Sequence, residues 1–156
     1  MKRKWRLYLD TSVFGGVFEA TEGRDAASRQ VLDAALSGQA TACFSDTVMQ
    51  ELMDAPPRVR LPLESLPAEC REEIAINHEI RALSRACIAA GVVGPKWVED
   101  TLHVAAATVA RADAIVSWNF RHMVRLDKIR AYNAVNIVEG YGMIQIVSPK
   151  EVNFDE

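Results

Sequence analysis

The sequence has little cysteine and no long apolar run. Its 156 residues include three cysteines, which are widely spaced and form no Cys-x-x-Cys pair, so neither a disulfide framework nor a zinc site is indicated. No stretch approaches the roughly 18 apolar residues of a membrane span. The apolar stretch that follows the positively charged segment 1–6 is too short for the hydrophobic region of a signal peptide. We therefore expect a cytoplasmic protein that does not enter a membrane.

An excess of basic residues is also missing. The formal net charge is −3, which argues against a basic coat for nucleic acid. It does not exclude a nucleic-acid substrate, because divalent ions held by clustered acids restore positive potential locally. The hydrophobic fraction of 49% and the charged fraction of 25% are ordinary for a globular protein. A chain of this length suits one domain with a sizeable core.

The hydrophobic pattern predicts strands that alternate with helices. We expect strands over residues 4–9, 41–44, 114–118 and 144–147, and a strand or extended connection over residues 135–138. Helices are expected over residues 25–36, 47–53, 68–90 and 96–111. Four prolines between residues 56 and 67 prevent a continuous helix there and indicate a connector or lid-like excursion. The alternation predicts an α/β domain with helices on both faces of a short, mostly parallel sheet.

Polar side chains stand where the predicted strands end. Asp10 directly follows the first strand, Glu51 lies about one and a half turns into the helix after the second, and Asn119 follows the third. Asp100 lies at a similar depth in the last predicted helix. The carboxyl ends of parallel strands meet at one edge of a sheet, where α/β proteins form their pockets. We therefore expect these four side chains to converge.

Carboxylates that converge at one edge repel each other when ionised, and divalent cations relieve that repulsion. Oxygen ligands favour Mg²⁺ or Mn²⁺ over zinc, and these ions support hydrolysis of a phosphodiester. Each residue also has a simpler interpretation. Asp10 could cap the following helix, and Glu51 could be a solvated surface residue. Asp100 could interact with the helix dipole, and Asn119 could be a turn residue.

Four motifs occur in order along the chain: YLDTSV at residues 8–13, SDTVMQEL at 45–52, DTLHVAAA at 100–107 and DAIVSWNF at 113–120. Together they resemble the PIN domain, and more narrowly the VapC-like ribonuclease toxins of type II toxin–antitoxin pairs. The resemblance implies a three-layer α/β/α sandwich with a central parallel sheet, formed by one PIN domain over residues 1–150 and followed by a tail over residues 151–156. It also implies a Mg²⁺- or Mn²⁺-dependent endoribonuclease, an RNA substrate, a cognate antitoxin protein and a homodimer.

The resemblance also assigns roles to residues. Asp10, Glu51 and Asp100 match the three metal carboxylates of the family. Asn119 completes the catalytic set at a position where many relatives have a fourth acid; because asparagine adds no charge, the number of bound metals, one or two, stays open. Small hydroxyl positions that support the site by hydrogen bonds are matched by Ser12 and Ser117.

Histidine and basic residues near these motifs have two interpretations each. His103 lacks a partner motif for a metal, so we expect it to have a structural or supporting role. Arg121, His122 and Arg125 belong to the clearest basic stretch near a catalytic strand end. They are expected either to contact RNA phosphates or to form a solvated helix face.

Two other functions remain open at this point. One is a degenerate PIN domain that serves as a non-catalytic interaction module, for which Asn119 is the first indication. The other is a haloacid-dehalogenase-like phosphatase, which also places an aspartate at the end of its first strand. That chemistry requires a second aspartate two residues further on, where this chain has Ser12.

Overall fold

The computed structural model describes residues 3–154, and within them five short strands form one parallel sheet. The strands lie in the order β3-β2-β1-β4-β5. Their bounds are Trp5–Leu9 (β1), Ala40–Ser45 (β2), Arg71–Ile74 (β3), Ala114–Val116 (β4) and Gln145–Val147 (β5). The four strands expected from the sequence are confirmed, with ends that differ by one or two residues.

Helices cover both faces of this sheet and complete a three-layer α/β/α sandwich. Their bounds are Thr11–Gly16 (α1), Arg24–Leu36 (α2), Asp46–Asp54 (α3), Leu61–Glu64 (α4), His78–Ala89 (α5), Val98–Val109 (α6) and Leu126–Val138 (α7). Helix α2 packs on α1 and β2, whereas α5 packs on α6 and α7. No helix in residues 3–154 is long and apolar enough to cross a membrane.

The central strand β1 and its neighbour β4 form the middle of the core. Tyr8 of β1 reaches His103 of α6 with its hydroxyl, so its neighbours Leu7 and Leu9 point to the opposite face. All three side chains are buried, as are Ile115 and Val116 of β4. A continuous buried apolar run of this kind is typical of a parallel strand that is covered by helices on both sides.

The predicted helix over residues 68–90 is wrong in its first part. Residues Arg71–Ile74 instead pair with β2 as the edge strand β3, and the helix begins only at His78. The Asn77 side chain accepts a hydrogen bond from the Ile80 backbone amide at 2.8 Å and so caps the helix there. The polar sequence of β3 resembles a helix surface, because an edge strand carries charged residues that a central strand excludes.

The strand or extended connection expected over residues 135–138 is also wrong, because these residues form the last turn of α7. Val135 and Asn136 are buried while Ile137 and Val138 are exposed, and packing of that helix face outweighs the strand preference of the β-branched residues. The proline-rich segment forms only a 3₁₀ turn, Pro57–Arg60, and the single-turn helix α4, which confirms that no continuous helix spans it.

The C-terminal segment packs on the same core. The 3₁₀ turn Pro149–Glu151 contacts α2, and Val152 is buried. The described part of the predicted tail is therefore anchored to the domain, while residues 155 and 156 of that tail lie outside the described residues.

The strand order creates a reversal in the winding of the chain. From β1 the chain adds β2 and then β3 on one side, and it then returns to add β4 and β5 on the other side. The direction therefore reverses between β1 and β4, which is the point where open parallel sheets bind ligands beyond the carboxyl ends of their strands. Asp10 follows β1 and Ser117 follows β4, so the predicted site lies at this switch point.

Candidate active site

Asp10 is buried at the switch point, with only 4% of its surface exposed. Ser12 Oγ donates a hydrogen bond to its Oδ1 at 2.5 Å, and Ser117 Oγ donates one to its Oδ2 at 2.6 Å. The two hydroxyl oxygens in turn accept hydrogen bonds from the backbone amides of Trp118 and Asn119, at 2.8 and 2.9 Å. The carboxylate of Asp10 is thus held in one orientation by the ends of both central strands.

Glu51 is fixed by a chain of hydrogen bonds that starts at the surface and ends in the core. Its Oε1 accepts a hydrogen bond from Thr11 Oγ1 at 2.8 Å and lies 2.6 Å from His103 Nε2. The other ring nitrogen of His103 lies 2.7 Å from the Tyr8 hydroxyl, which lies 2.7 Å from Ser45 Oγ. These hydrogen bonds join helices α1, α3 and α6 with strands β1 and β2, so each of these elements helps to place Glu51.

Asp100 lies in the first turn of α6, and its Oδ2 is 3.0 Å from His122 Nδ1. The His122 ring packs on the Trp97 ring, with 4.5 Å between the ring centroids. Asn119 Oδ1 accepts hydrogen bonds from the backbone amides of Arg121 and His122 at 3.2 and 2.9 Å. Asn119 therefore holds the turn that presents His122 to Asp100, as the turn interpretation of this residue expects.

Burial and neighbouring charges shift the pKa values in opposite directions within the site. Burial raises the pKa of Asp10 and of Asp100, although the charge of His103 opposes both shifts. Burial would also raise the pKa of Glu51, but the hydrogen bond and charge of His103 outweigh it and lower that pKa. Burial would lower the pKa of His103, but Glu51 and Asp10 together raise it. Glu51 and His103 therefore favour each other's charged forms, whereas burial disfavours the charged forms of Asp10 and Asp100.

The three carboxylates do not form a ready-made ligand set. Among residues 3–154, no three His, Cys, Asp or Glu side chains are gathered as a metal site, and each carboxylate is hydrogen-bonded to a hydroxyl or a histidine. The chemistry of the donors nevertheless fits Mg²⁺ or Mn²⁺: all of them are oxygens, Asp10 and Asp100 are destabilised as anions by burial, and Mg²⁺ needs few protein ligands since it keeps several waters. Asp10, Glu51 and Asp100 are the residues that would hold the ion.

The basic residues expected to contact RNA differ in their accessibility. Arg121 and Arg125 are exposed, and Arg125 Nε pairs with Asp127 at 2.8 Å. His122 is mostly buried and faces Asp100, so the structure places it beside that carboxylate rather than on an open surface. The RNA contacts themselves stay a prediction.

Sequence reasoning missed three contributors to this site. Thr11 holds Glu51, Tyr8 holds His103, and Trp97 packs on His122. Thr11 could have been noticed because it directly follows Asp10. No local signal links Tyr8 to His103 or Trp97 to His122, because each pair is brought together only when the helices dock on the sheet.

Comparison with known proteins adds no family to this description. No protein-family model matches the chain, and no curated protein gives a significant match to it. The fold and the site together define an α/β/α sandwich with the buried carboxylate of Asp10 at the switch point of its parallel sheet.

Proposed function

We propose that this protein is a Mg²⁺- or Mn²⁺-dependent endoribonuclease of the PIN type. The observation that carries the proposal is that three acids from separate elements, Asp10, Glu51 and Asp100, all interact with one histidine. His103 lies among them: it bonds to Glu51, and its charge acts on both Asp10 and Asp100. A bound divalent ion would supply a hydroxide from water and positive charge for the leaving oxygen of a phosphodiester.

The residues around the acids hold them ready for such an ion. Ser12 and Ser117 orient the Asp10 carboxylate, Thr11 and His103 orient Glu51, and the His122 ring orients Asp100. Because these partners are themselves held by the backbone or by buried side chains, the carboxylates lose little freedom when an ion binds.

The finer parts of the proposal come from the four sequence motifs that resemble VapC-like toxins. On that resemblance we propose that the enzyme is the toxin of a toxin–antitoxin pair, that a cognate antitoxin protein restrains it, that it forms a homodimer and that it acts in the cytoplasm. Expression of the chain alone should then arrest growth, and co-expression with the antitoxin should restore it.

Cleavage of RNA by purified variants tests the nuclease proposal. With Mg²⁺ or Mn²⁺ present, Asp10→Asn and Asp100→Asn should each reduce the cleavage rate by at least about 100-fold, the scale on which loss of one charge-stabilising group acts. Glu99→Gln is the matched control, since Glu99 is the exposed neighbour of Asp100 on α6. Unchanged cleavage in both aspartate variants would remove these residues from the active site.

A non-catalytic interaction module is the second candidate, and one contact favours it. The Asn119 carbonyl oxygen is already occupied by two backbone amides, so it offers little to a second metal. Titration calorimetry with Mn²⁺ separates the candidates: the nuclease should bind the ion, and Asp10→Asn should weaken that binding, whereas the module should release no heat. A phosphatase of the haloacid-dehalogenase type is disfavoured, because Ser12 stands at its second acid position and bonds to Asp10.

A further inference from the structure

We propose that a cavity at the amino edge of the sheet, which we call the Arg111 cavity, binds a small organic oxyanion. It is lined by Thr108, Arg111, Ala112 and residues 140–144, and its volume is about 320 Å³, enough for a small ligand. Its lining residues directly precede β4 and β5, whereas Asp10 follows β1 at the opposite edge of the sheet. The cavity is therefore separate from the acids of the proposed nuclease.

Arg111 has a backbone conformation that favours glycine. Helices α2, α5, α6 and α7 end with the same pattern of backbone hydrogen bonds, in which a left-handed residue stands two positions after the last helical one. In α2, α5 and α7 this residue is Gly38, Gly91 and Gly140, with φ values of 85°, 74° and 91°. In α6 it is Arg111, with a φ of 58°. Because a side chain is strained in this region, an arginine here points to a use for its guanidinium.

The end of α6 does not need that guanidinium. The carbonyl oxygens of Ala110 and Arg111 both accept hydrogen bonds from Arg6 Nη1, at 2.7 and 3.0 Å. A cation at a helix C-terminus is favoured by the helix dipole, and Arg6 already supplies it. Arg111 itself is exposed, and no group in residues 3–154 forms a hydrogen bond or an ion pair with its side chain. The strained arginine is thus available to a ligand.

Two unused backbone donors lie in the same cavity, in the loop between α7 and β5. The Ile144 amide donates to Asn133 Oδ1 at 2.7 Å, but the amides of Gly142 and Met143 donate to no described group. A Cβ atom added at Gly142 would meet nothing within 4 Å, so the loop is open there. Successive backbone amides and a guanidinium are donors that bind carboxylate and phosphate oxygens.

The charge and the apolar surface of the cavity define the class of ligand. Arg111 is the one charged side chain among the described residues that line it. Glu79 lies outside this lining and accepts a hydrogen bond from the Tyr141 hydroxyl at 2.7 Å. Met143 contributes a side chain that is 74% exposed, which an apolar group of a ligand would cover. The chemistry therefore fits a carboxylate or phosphate group on a small apolar body.

An NMR titration of the isotope-labelled protein tests the site with defined probes. Benzoate carries a carboxylate on an apolar ring, and benzamide is its uncharged counterpart of similar shape. Benzoate should shift the amide signals of residues 140–143 in a saturable manner. Benzamide should bind at least about 10-fold more weakly, because it lacks the charge that pairs with Arg111. Phenyl phosphate distinguishes the two oxyanions: tighter binding than benzoate assigns the cavity to phosphates, and weaker binding assigns it to carboxylates.

Arg111→Gly separates a binding role from a structural one. The variant loses the guanidinium and gains the residue that the left-handed position favours. It should therefore weaken benzoate binding by about 10- to 150-fold while raising Tm by about 2–4 °C. Glu22→Gly is the matched control, because Glu22 is the other described non-glycine residue with a left-handed backbone, at a φ of 57°. It should also raise Tm but leave benzoate binding unchanged.

Three results would overturn the proposal. The first is a wild type in which benzoate causes no saturable shift at residues 140–143. The second is benzamide binding as tight as benzoate binding, which would show an apolar cavity without selection for an anion. The third is an Arg111→Gly variant that binds benzoate like the wild type or unfolds at a lower temperature, since a lower Tm would show that Arg111 serves the fold.

Discussion

Gly16, the last residue of α1, leaves no room for a side chain, and Gly16→Ala should destabilise the fold strongly. A Cβ atom there would lie 2.4 Å from Ser28 Oγ and 2.6 Å from Trp118 Nε1, well inside van der Waals contact. Those two atoms are buried and hydrogen-bonded to each other at 2.8 Å. The methyl group must therefore separate the buried Trp118 Nε1 donor from its acceptor, Ser28 Oγ, and also displace the indole ring.

The expected loss can be worked from these contacts. Overpacking costs about 1–3 kcal/mol, and an unpaired buried donor costs about 1–3 kcal/mol. Alanine returns about 0.5–1 kcal/mol, because it is a better helix former than glycine. The free energy of unfolding should thus fall by roughly 3 kcal/mol, which corresponds to a decrease in Tm of about 6–12 °C for a domain of this size.

Gly15→Ala is the matched control, since it makes the same change one residue earlier in the same helix. The nearest atom to its added Cβ is Val59 Cγ1 at 4.0 Å, an ordinary contact, so this variant should be stabilised by about 0.5–1 kcal/mol. Urea unfolding followed by circular dichroism measures both. The reasoning is refuted if Gly16→Ala unfolds at the same urea concentration as the wild type or as Gly15→Ala.

Burial raises the pKa of Asp10 in the folded protein above its value in the unfolded chain. As the pH rises above the usual aspartate pKa, the unfolded chain loses this proton before the folded protein does, so the free energy of unfolding of the metal-free protein should decrease. Asp10→Asn should reduce this decrease, as measured by urea unfolding in EDTA at several pH values. The same dependence of stability on pH in the variant and the wild type would contradict the prediction. Tyr8→Phe removes the hydroxyl at the centre of the buried hydrogen-bond chain and should cost about 1–3 kcal/mol. Tyr132→Phe should be neutral or stabilising by the same assay, because the buried Tyr132 hydroxyl has no partner among the described residues. An equal loss of stability in both variants would argue that the hydrogen bonds of Tyr8 do not stabilise the fold. Asn119→Asp keeps the turn acceptor but adds charge beside Asp100, so calorimetry should show tighter Mn²⁺ binding and unfolding should show a less stable metal-free protein; unaltered affinity would place Asn119 away from the ion.

The opposing pKa shifts also predict how the proposed metal ion would affect stability. Glu51 is paired with His103, whereas burial raises the pKa of Asp10 and of Asp100 in spite of the histidines beside them, which is a penalty on their ionised forms. A divalent cation would remove that penalty, so Mg²⁺ or Mn²⁺ should raise Tm in the wild type by mass action.

Much of the fold could be predicted because buried apolar residues recur along the sequence with the period of the helix or strand that contains them. Apolar runs such as Leu7–Leu9 mark central strands, and Asp10 interrupts its run where the strand must end. The edge strand β3 was missed for the same reason: half-solvated and polar, Arg71–Ile74 carries no apolar run that separates it from a helix surface. Helix α7 was missed because its C-terminal valines and isoleucine favour a strand locally, and only packing against the core decides otherwise.

The sequence by itself determined the layered α/β class and the positions of Asp10, Glu51 and Asp100 at strand ends and helix starts, since these follow from local periodicity and chain order. Only the tertiary structure decided which groups hold those acids: the pairing of His103 with Glu51 and the approach of His122, packed on Trp97, to Asp100. The physical reason is that periodicity reports how each element is buried along its own axis. Hydrogen bonds and stacking between residues distant in the chain depend on how the helices dock on the sheet, which no local pattern records.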